Sequence, residues 1–189
     1  MSLVRVRLSD IAVLKRGTRV VREDLIGGGR YPVYQNSLKP MGYYSSYNNN
    51  ANTTFVICAG AAGEIGYSEV PFWGADDCFS VLPIKDDVVK SKYLYYLLLF
   101  NKRRIMRKVR RASIPRLSRD NIEKLEVCLP SISTQDKIIA FLDEIIANNG
   151  ELNKALFEEV EKNNKRVEYW IDNLMSGDKY WEKVKEEHE

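Results

Sequence analysis

The sequence predicts an α+β fold, in which a strand-rich mixed domain with short helices precedes one long C-terminal helix. Two observations carry this prediction. Residues 1–133 alternate short β-branched or aromatic runs with Gly, Pro and Asn, a pattern typical of strands and turns. Residues 134–176 contain no proline and one glycine, with apolar residues at helical spacing. We therefore divide the chain into a mixed domain (1–133), a helical arm (134–176) and a charged tail (177–189).

The elements of the mixed domain follow from its local patterns. VRVRLSDIAVLKRG predicts a strand end and then a short helix capped near Ser9 or Asp10. RYPVYQNS, TTFVICAG, IGYSEV and CFSVLPI predict strands, and IEKLEVCLPS predicts a last strand that ends at Pro130. The segment SKYLYYLLLFNKRRIMRKVRR predicts a helix capped at Ser91. Its apolar face comprises Tyr93, Leu94, Leu97, Leu98 and Ile105.

The helical arm shows the spacing of a coiled coil. Its seam positions alternate by three and four residues, with one extra four-residue step near Leu156. A continuous helix here would be roughly 60 Å long at about 1.5 Å per residue. Gly150 costs about 1 kcal/mol in a helix, so a division into two helices at this residue is the alternative. One interpretation is a helix folded back on its own domain, and the one we favour is an arm that pairs with a second helix. The residues predicted at an interface with a second copy are Ile138, Leu142, Ile145, Leu152, Leu156, Val160, Val167 and Leu174.

The net charge of +3 conceals an uneven distribution. Residues 134–189 contain 8 basic and 14 acidic side chains, whereas residues 1–133 contain 21 basic and 12 acidic ones. Such a division favours a front that faces a polyanion and an acidic part that faces a protein partner. Ordinary solvated charge also explains the acidic part.

Several classes of protein are disfavoured by composition. The chain has no apolar run of about 18 residues, so we expect no membrane span. It begins MSLVRVRLSD, without the apolar core of a signal peptide, which favours the cytoplasm. Cys58, Cys78 and Cys128 lie far apart in apolar runs and predict buried reduced thiols. The one histidine, His188, makes histidine catalysis and a conventional zinc site poor candidates.

The strongest local signal is the basic run NKRRIMRKVRRASIPRLSR, residues 101–119. It contains no acid, and its nine basic residues are 102, 103, 104, 107, 108, 110, 111, 116 and 119. Contact with phosphates is the usual reason for such a run. The alternative is a solvated basic helix end, which the helix dipole favours.

A second signal is polar and aromatic, YPVYQNSLKPMGYYSSYNNN. Gln and Asn can pair bidentately with adenine edges, and Tyr can pack on bases or backbone. Gln35, Asn36 and Ser37 are therefore candidates to specify bases while basic residues hold phosphates. A turn-rich surface loop gives a similar pattern.

The segment FVICAGAAGEIG imitates the glycine loop of a cofactor site. A dinucleotide or S-adenosylmethionine site needs a helix directly after the glycines. EIGYSEVPFWG follows instead, so the sequence predicts a strand, a loop and a strand. The pair Asp76 and Asp77 predicts a turn before CFSVLP, and we identify no catalytic constellation in the sequence.

The order of these motifs resembles one known family. VRLSDIAVLKRG, YPVYQNSLKPMGYY, CAGAAGEIGY, FWGADDCFSVLP and ASIPRLSRDNIEKLEVCLPSISTQDKIIAFLDEI, followed by a long helix ending LMSG, are similar to the target-recognition domain and helical region of type I restriction–modification specificity subunits. The likeness extends through about Gly177. Gln135 matches a Gln that opens the helix in that family, whereas Asp136 differs from the more usual residue. Typical members carry two recognition domains and two helical regions, so this chain resembles a half-length form.

The resemblance implies a protein that is not an enzyme itself. It implies a DNA-binding domain in residues 1–133 and a dimerisation and docking arm in residues 134–176. Two copies joined by their arms would form a homodimer that reads a two-part palindromic DNA site. The implied partners are double-stranded DNA, a second copy and methylation subunits, with restriction subunits as a further candidate. S-adenosylmethionine and ATP would be bound by those partners, so no cofactor is expected here.

Residues in four parts of the domain are candidates for DNA contact. The set comprises Lys15, Arg16, Gln35, Asn36, Ser37, Lys39, Glu64, Arg107, Arg110, Arg111 and Ser113. Two alternatives stay open: a coiled-coil assembly protein without DNA readout, and a small methyltransferase or nuclease. The absence of cofactor motifs in the sequence disfavours the second alternative.

Overall fold

A computed structural model describes residues 4–25 and 29–148 of the chain. A division after Ile139 separates the first compact unit, which contains all the strands that the structure describes, from the segment that follows. Five predicted interface residues and the predicted tail lie outside the described residues: Leu152, Leu156, Val160, Val167, Leu174 and 177–189.

The described residues confirm an α+β fold with many short strands. A short 3-10 helix, Arg22–Leu25, accompanies the strands and α-helices. The elements in chain order are β1 Val4–Arg7, α1 Leu8–Ile11, β2 Ala12–Arg16, β3 Tyr31–Tyr34, β4 Gly42–Tyr44, β5 Thr53–Ile57, β6 Ile65–Ser68, β7 Trp73–Gly74, β8 Cys78–Pro83, α2 Ser91–Phe100, α3 Lys102–Met106, α4 Arg119–Glu123, β9 Glu126–Leu129 and α5 Ile132–Asn148.

Three sheets organise the described strands. The largest has the order β2–β8–β5–β6 and is antiparallel throughout, with Thr54 opposite Val81 and Val56 opposite Phe79. A second sheet has the order β4–β3–β7, in which β3 and β7 run parallel. A third pairs β1 with β9, which brings the beginning of the chain beside the strand that precedes α5. Every residue of β5 is buried, which explains its continuous β-branched and apolar sequence.

The main core lies between α2 and the large sheet. The predicted apolar face of this helical segment is confirmed, because Tyr93, Leu94, Leu97, Leu98 and Ile105 are all buried. Full burial of each such side chain contributes about 1.5–3 kcal/mol. The start of α2 is also tied to β5, since the Thr54 hydroxyl donates to the carbonyl of Ser91 at 2.7 Å.

Two predicted helix boundaries are wrong in detail. The first helix has Arg7 as its N-cap residue, and not Ser9 or Asp10. Asp10 lies inside the helix, where its carboxylate accepts the N–H of Arg7 at 2.8 Å. The helix predicted from Ser91 through the basic run has Lys90 as its N-cap and is interrupted at Asn101. The Asn101 side chain donates to the carbonyl of Leu97 at 2.8 Å and so ends the first segment.

The helix α5 begins two residues before the predicted start of the arm. Its first turns belong to the domain, because Ile138 and Ile139 pack against the main core. Farther along, Leu142 and Ile145 are half-buried. Within the described ranges no helix combines the length and apolarity that crossing a membrane requires.

The three cysteines are free thiols, and the predicted burial is confirmed for two of them. Cys58 and Cys78 are buried and Cys128 is half-buried. Burial raises the pKa of the Cys58 thiol to about 11, and burial also raises the pKa of Cys78. These thiols therefore stay protonated and unreactive near neutral pH.

Candidate nucleic-acid interface

The glycine loop between β5 and β6 is the scaffold of the candidate site. The chain passes from one antiparallel strand to the other through residues 58–64, so the predicted strand–loop–strand is confirmed. Gly60 and Gly63 adopt φ values of +79° and +92°, a region that side chains disfavour. The glycines therefore shape a turn within the sheet.

This loop holds two other segments through backbone hydrogen bonds. The N–H of Ala61 donates to the carbonyl of Asn36 at 2.9 Å, which fixes the polar segment after β3. The N–H of Gly60 donates to Pro115, and the N–H of Leu117 donates to Cys58 at 2.8 Å. The two strongest sequence signals, the polar stretch and the basic run, are thereby brought to one place.

The second half of the basic run forms a hairpin. Arg110 and Arg116 exchange backbone hydrogen bonds of 2.8 and 3.1 Å and enclose residues 111–115. Every residue from Arg110 to Ile114 is exposed, and the side chains of Arg110 and Arg111 form no hydrogen bond or ion pair with the described part of the chain. The hairpin therefore carries cations available to an external anion.

A polar cleft of about 920 Å³ opens beside this arrangement. Basic and amide side chains dominate its walls, with a few apolar residues and three acids. It is lined by Arg16, Arg19, Val20, Val21, Arg22, Glu23, Gln35, Asn36, Ser37, Lys39, Pro40, Met41, Asp76, Asp77 and Arg116.

The turn before β8 supports the wall of this cleft on one side. The Arg16 guanidinium donates to the carbonyl of Asp76 at 3.0 Å, and the N–H of Gly17 donates to Cys78 at 2.9 Å. The chain passes so close here that a Cβ on Gly17 would lie 2.1 Å from the carbonyl oxygen of Ala75. Only glycine fits this position, so the turn and the end of β2 are held in fixed relation.

Five of the predicted DNA-contact residues meet in this cleft: Arg16, Gln35, Asn36, Ser37 and Lys39. Their assignment to DNA stays a prediction, but the structure brings them together from two separate segments. The Ser37 hydroxyl donates to the carbonyl of Lys39 at 2.9 Å, which tightens the loop that carries them.

The other predicted contacts do not line the cleft. The Lys15 ammonium donates to the carbonyl of Asn48 at 3.0 Å, and Glu64 forms an ion pair with Lys102 at 2.9 Å. These two side chains therefore stabilise their own domain in the free protein. The remaining four are all exposed, at the C-terminal end of α3 and in the hairpin: Arg107, Arg110, Arg111 and Ser113.

Sequence reasoning did not assign several cleft residues to the site. Arg19 and Arg22 follow directly after β2, and Arg116 belongs to the basic run without having been selected. The arginines that follow Lys15 at positions 16, 19 and 22 are a pattern from which a basic surface could have been predicted. Asp76 and Asp77 form the predicted turn, yet their position in the cleft depends on tertiary contacts that no local pattern reveals.

The cleft can bind a polyanion and read hydrogen-bond donors and acceptors. Exposed guanidinium groups contact phosphates without sequence preference, whereas amide side chains such as Gln35 and Asn36 can pair with base edges. Among residues 4–25 and 29–148, no group of His, Cys, Asp and Glu side chains is arranged to hold a metal ion.

Comparison with known proteins identifies the family to which a chain with this fold and cleft belongs. Residues 3–162 match the type I restriction modification DNA specificity domain, so the chain belongs to that family. The prediction that it is a specificity component and not an enzyme is confirmed by this membership.

Relatives and solved structures agree with this assignment. The specificity subunit of the type I restriction enzyme MpnII from Mycoplasma pneumoniae is 25% identical over 176 residues, which are 90% of this chain and 52% of that protein. The crystal structure of a type I restriction–modification S subunit from M. genitalium has the same fold, with a TM-score of 0.72 and 21% identity over 95% of this chain and 47% of that one. The HsdS subunit from Thermoanaerobacter tengcongensis has a TM-score of 0.61, with 15% identity over 87% of this chain and 43% of that one. The chain thus spans about half the length of these proteins.

Proposed function

We propose that the chain is the sequence-reading component of a type I restriction–modification complex and directs adenine methylation and DNA cleavage by partner subunits. The observation that carries the proposal is the cleft, where arginines and amide side chains converge on one concave surface. The arginines supply affinity for phosphates, and Gln35, Asn36 and Ser37 supply groups that can distinguish bases. The 110–116 hairpin adds further cations. Location in the cytoplasm, where thiols stay reduced, is part of the proposal.

A homodimer is the second part of the proposal. The sequence after Thr134 has the spacing of a coiled-coil seam, which suits pairing with the same segment of a second copy. Two copies related by a two-fold axis would present two identical clefts to DNA and so read a palindromic target with a spacer. Sedimentation of the full chain should then give about twice the 21.8 kDa chain mass, and a monomer at micromolar concentration would contradict this part.

The experiment that tests the proposal is co-expression of the full chain with a type I methylation subunit. Methylated adenines are then mapped across the host genome. We expect methylation within one two-part palindromic motif that disappears when the chain is omitted. Methylation that is absent, or that does not depend on the chain, would contradict the proposed function. S-adenosylmethionine should bind the methylation subunit and not the isolated chain.

A further inference from the structure

We propose that Asp77 is a specificity-determining residue that accepts a hydrogen bond from the exocyclic amino group of a base. The inference rests on the proposed function, because it concerns which bases the cleft selects. The observation behind it is that two carboxylates, those of Asp76 and Asp77, line a cleft that is also lined by Arg16 and Arg116.

The two carboxylates are not used by the described part of the fold. The turn is held by its backbone, since the carbonyl of Asp76 accepts from Arg16 and the carbonyl of Asp77 accepts from the N–H of Cys58 at 2.7 Å. Neither carboxylate forms an ion pair with a described side chain, although the cleft contains several arginines. One oxygen of Asp76 is enclosed in the protein without a hydrogen-bond donor. The turn would therefore keep its shape if the acids were replaced by amides.

A carboxylate in a DNA-binding surface repels phosphates, so its position there needs another explanation. A carboxylate is an acceptor only, and the donors that a base pair presents in the major groove are the amino groups of cytosine and adenine. Pairing of Asp or Glu with the cytosine N4 amino group is a known mode of readout. Asp77 is half-exposed and lines the same cleft as Arg116 and the polar loop, where arginines can hold the backbone while the acid contacts a base edge.

The arrangement also predicts an unusual pair of effects. Replacement of Asp77 by Asn removes a charge that opposes phosphates, so binding to arbitrary DNA should become tighter. The same replacement exchanges a pure acceptor for an amide that both donates and accepts, so discrimination between bases should become weaker. An acid that only orients neighbouring arginines would act in the opposite direction on arbitrary DNA, because its loss would release them.

The test compares Asp77→Asn with Asp87→Asn in the full chain co-expressed with the methylation subunit. Asp87 is an exposed acid that follows the opposite end of β8 from the cleft, so it is a matched control. We expect the wild-type complex to require cytosine or adenine at one strand-specific position of each half-site. Asp77→Asn should relax that position by roughly tenfold or more, and Asp87→Asn should not. The base that wild type requires distinguishes the cytosine from the adenine amino group.

Binding to random-sequence duplexes supplies the second readout. Asp77→Asn should bind up to about fivefold tighter, the size of one repulsion between unit charges near contact in water. An unchanged motif with unchanged stringency, in Asp77→Asn and in the Asp76→Asn, Asp77→Asn double variant, would overturn the inference. Weaker binding of Asp77→Asn to random duplexes would also overturn it, in favour of an orienting role. A wild-type complex without any motif would instead contradict the proposed function on which the inference rests.

Discussion

The side-chain oxygen of Gln135 accepts a hydrogen bond of 3.0 Å from the backbone N–H of Lys90. The amide nitrogen of the same side chain donates to the carbonyls of Val88 and Pro130, and Gln135 is fully buried. One side chain thus joins the start of α5, the loop before α2 and the end of β9. The Gln at the opening of the helix therefore has a structural role in this chain.

Replacement of Gln135 by Leu should destabilise the protein strongly. Three backbone groups would lose their partner, and each buried group without a partner costs about 1–3 kcal/mol. We expect the free energy of unfolding to fall by about 3 kcal/mol in urea titrations of the full chain. Lys137→Ala, an exposed change two residues farther along the same helix, should alter it by less than about 0.5 kcal/mol. Equal stability of the two variants would contradict the role of Gln135.

Replacement of Gly60 by Ala should distort the candidate site. A Cβ there would lie 2.8 Å from the Cβ of Asn36, and the φ of +79° costs a side chain about 1–2 kcal/mol. We expect a lower melting temperature and weaker DNA binding, because the loop that carries Asn36 must move. Unchanged stability together with unchanged affinity would show that the loop tolerates this contact.

The double variant Arg110→Ala, Arg111→Ala tests the hairpin. Its backbone pairing does not depend on these side chains, so stability should stay within about 0.5 kcal/mol of wild type. If both side chains contact phosphates, the slope of log affinity against log salt should decrease in magnitude by about 1.8. Mobility-shift titrations over a salt series measure it. An unchanged slope would place these arginines outside the interface.

The buried thiol of Cys58 should make stability depend on alkaline pH. Burial raises its pKa in the folded protein to about 11, from 9.0 in the unfolded chain. Because the folded state holds the proton more tightly, the contribution is complete below pH 9 and is lost as the pH rises towards 11. The free energy of unfolding should therefore fall over this range by less in Cys58→Ala than in wild type. Parallel pH profiles of the two proteins would contradict the burial argument.

Local sequence pattern was sufficient to predict the elements whose residues are buried and periodic. The strands β5 and β8 and the apolar face of α2 follow from β-branched runs and helical spacing. The strands β4 and β7 are only three and two residues long. They are strands because β3, which is antiparallel to β4 and parallel to β7, and the loops around it position them. The interruption at Asn101 was also missed, since a side chain bound to a carbonyl one turn earlier leaves no trace in the periodicity.

The candidate site was predicted only in part, because the sequence shows the chemistry of each side chain but not which loops the fold brings together. Gln35, Asn36 and Arg16 could be selected because their chemistry suits DNA wherever they lie. The inclusion of Arg19, Arg22 and Asp77 depends on which loops the glycine turn and the end of β2 bring together. Glu64 was selected as a candidate for DNA contact, and its pairing with Lys102, 38 residues away in sequence, could not be read from local pattern.

The central claim is that the cleft is the surface that binds DNA, and a pair of matched double variants tests it most directly. Arg19→Ala, Arg22→Ala removes two cations from the cleft, whereas Arg5→Ala, Lys85→Ala removes two exposed cations that do not line it. In mobility-shift titrations of the full chain over a salt series, the cleft variant should lower the magnitude of the slope by about 1.8. The control variant should leave the slope unchanged. Equal slopes for the two variants, or a loss confined to the control, would contradict the claim.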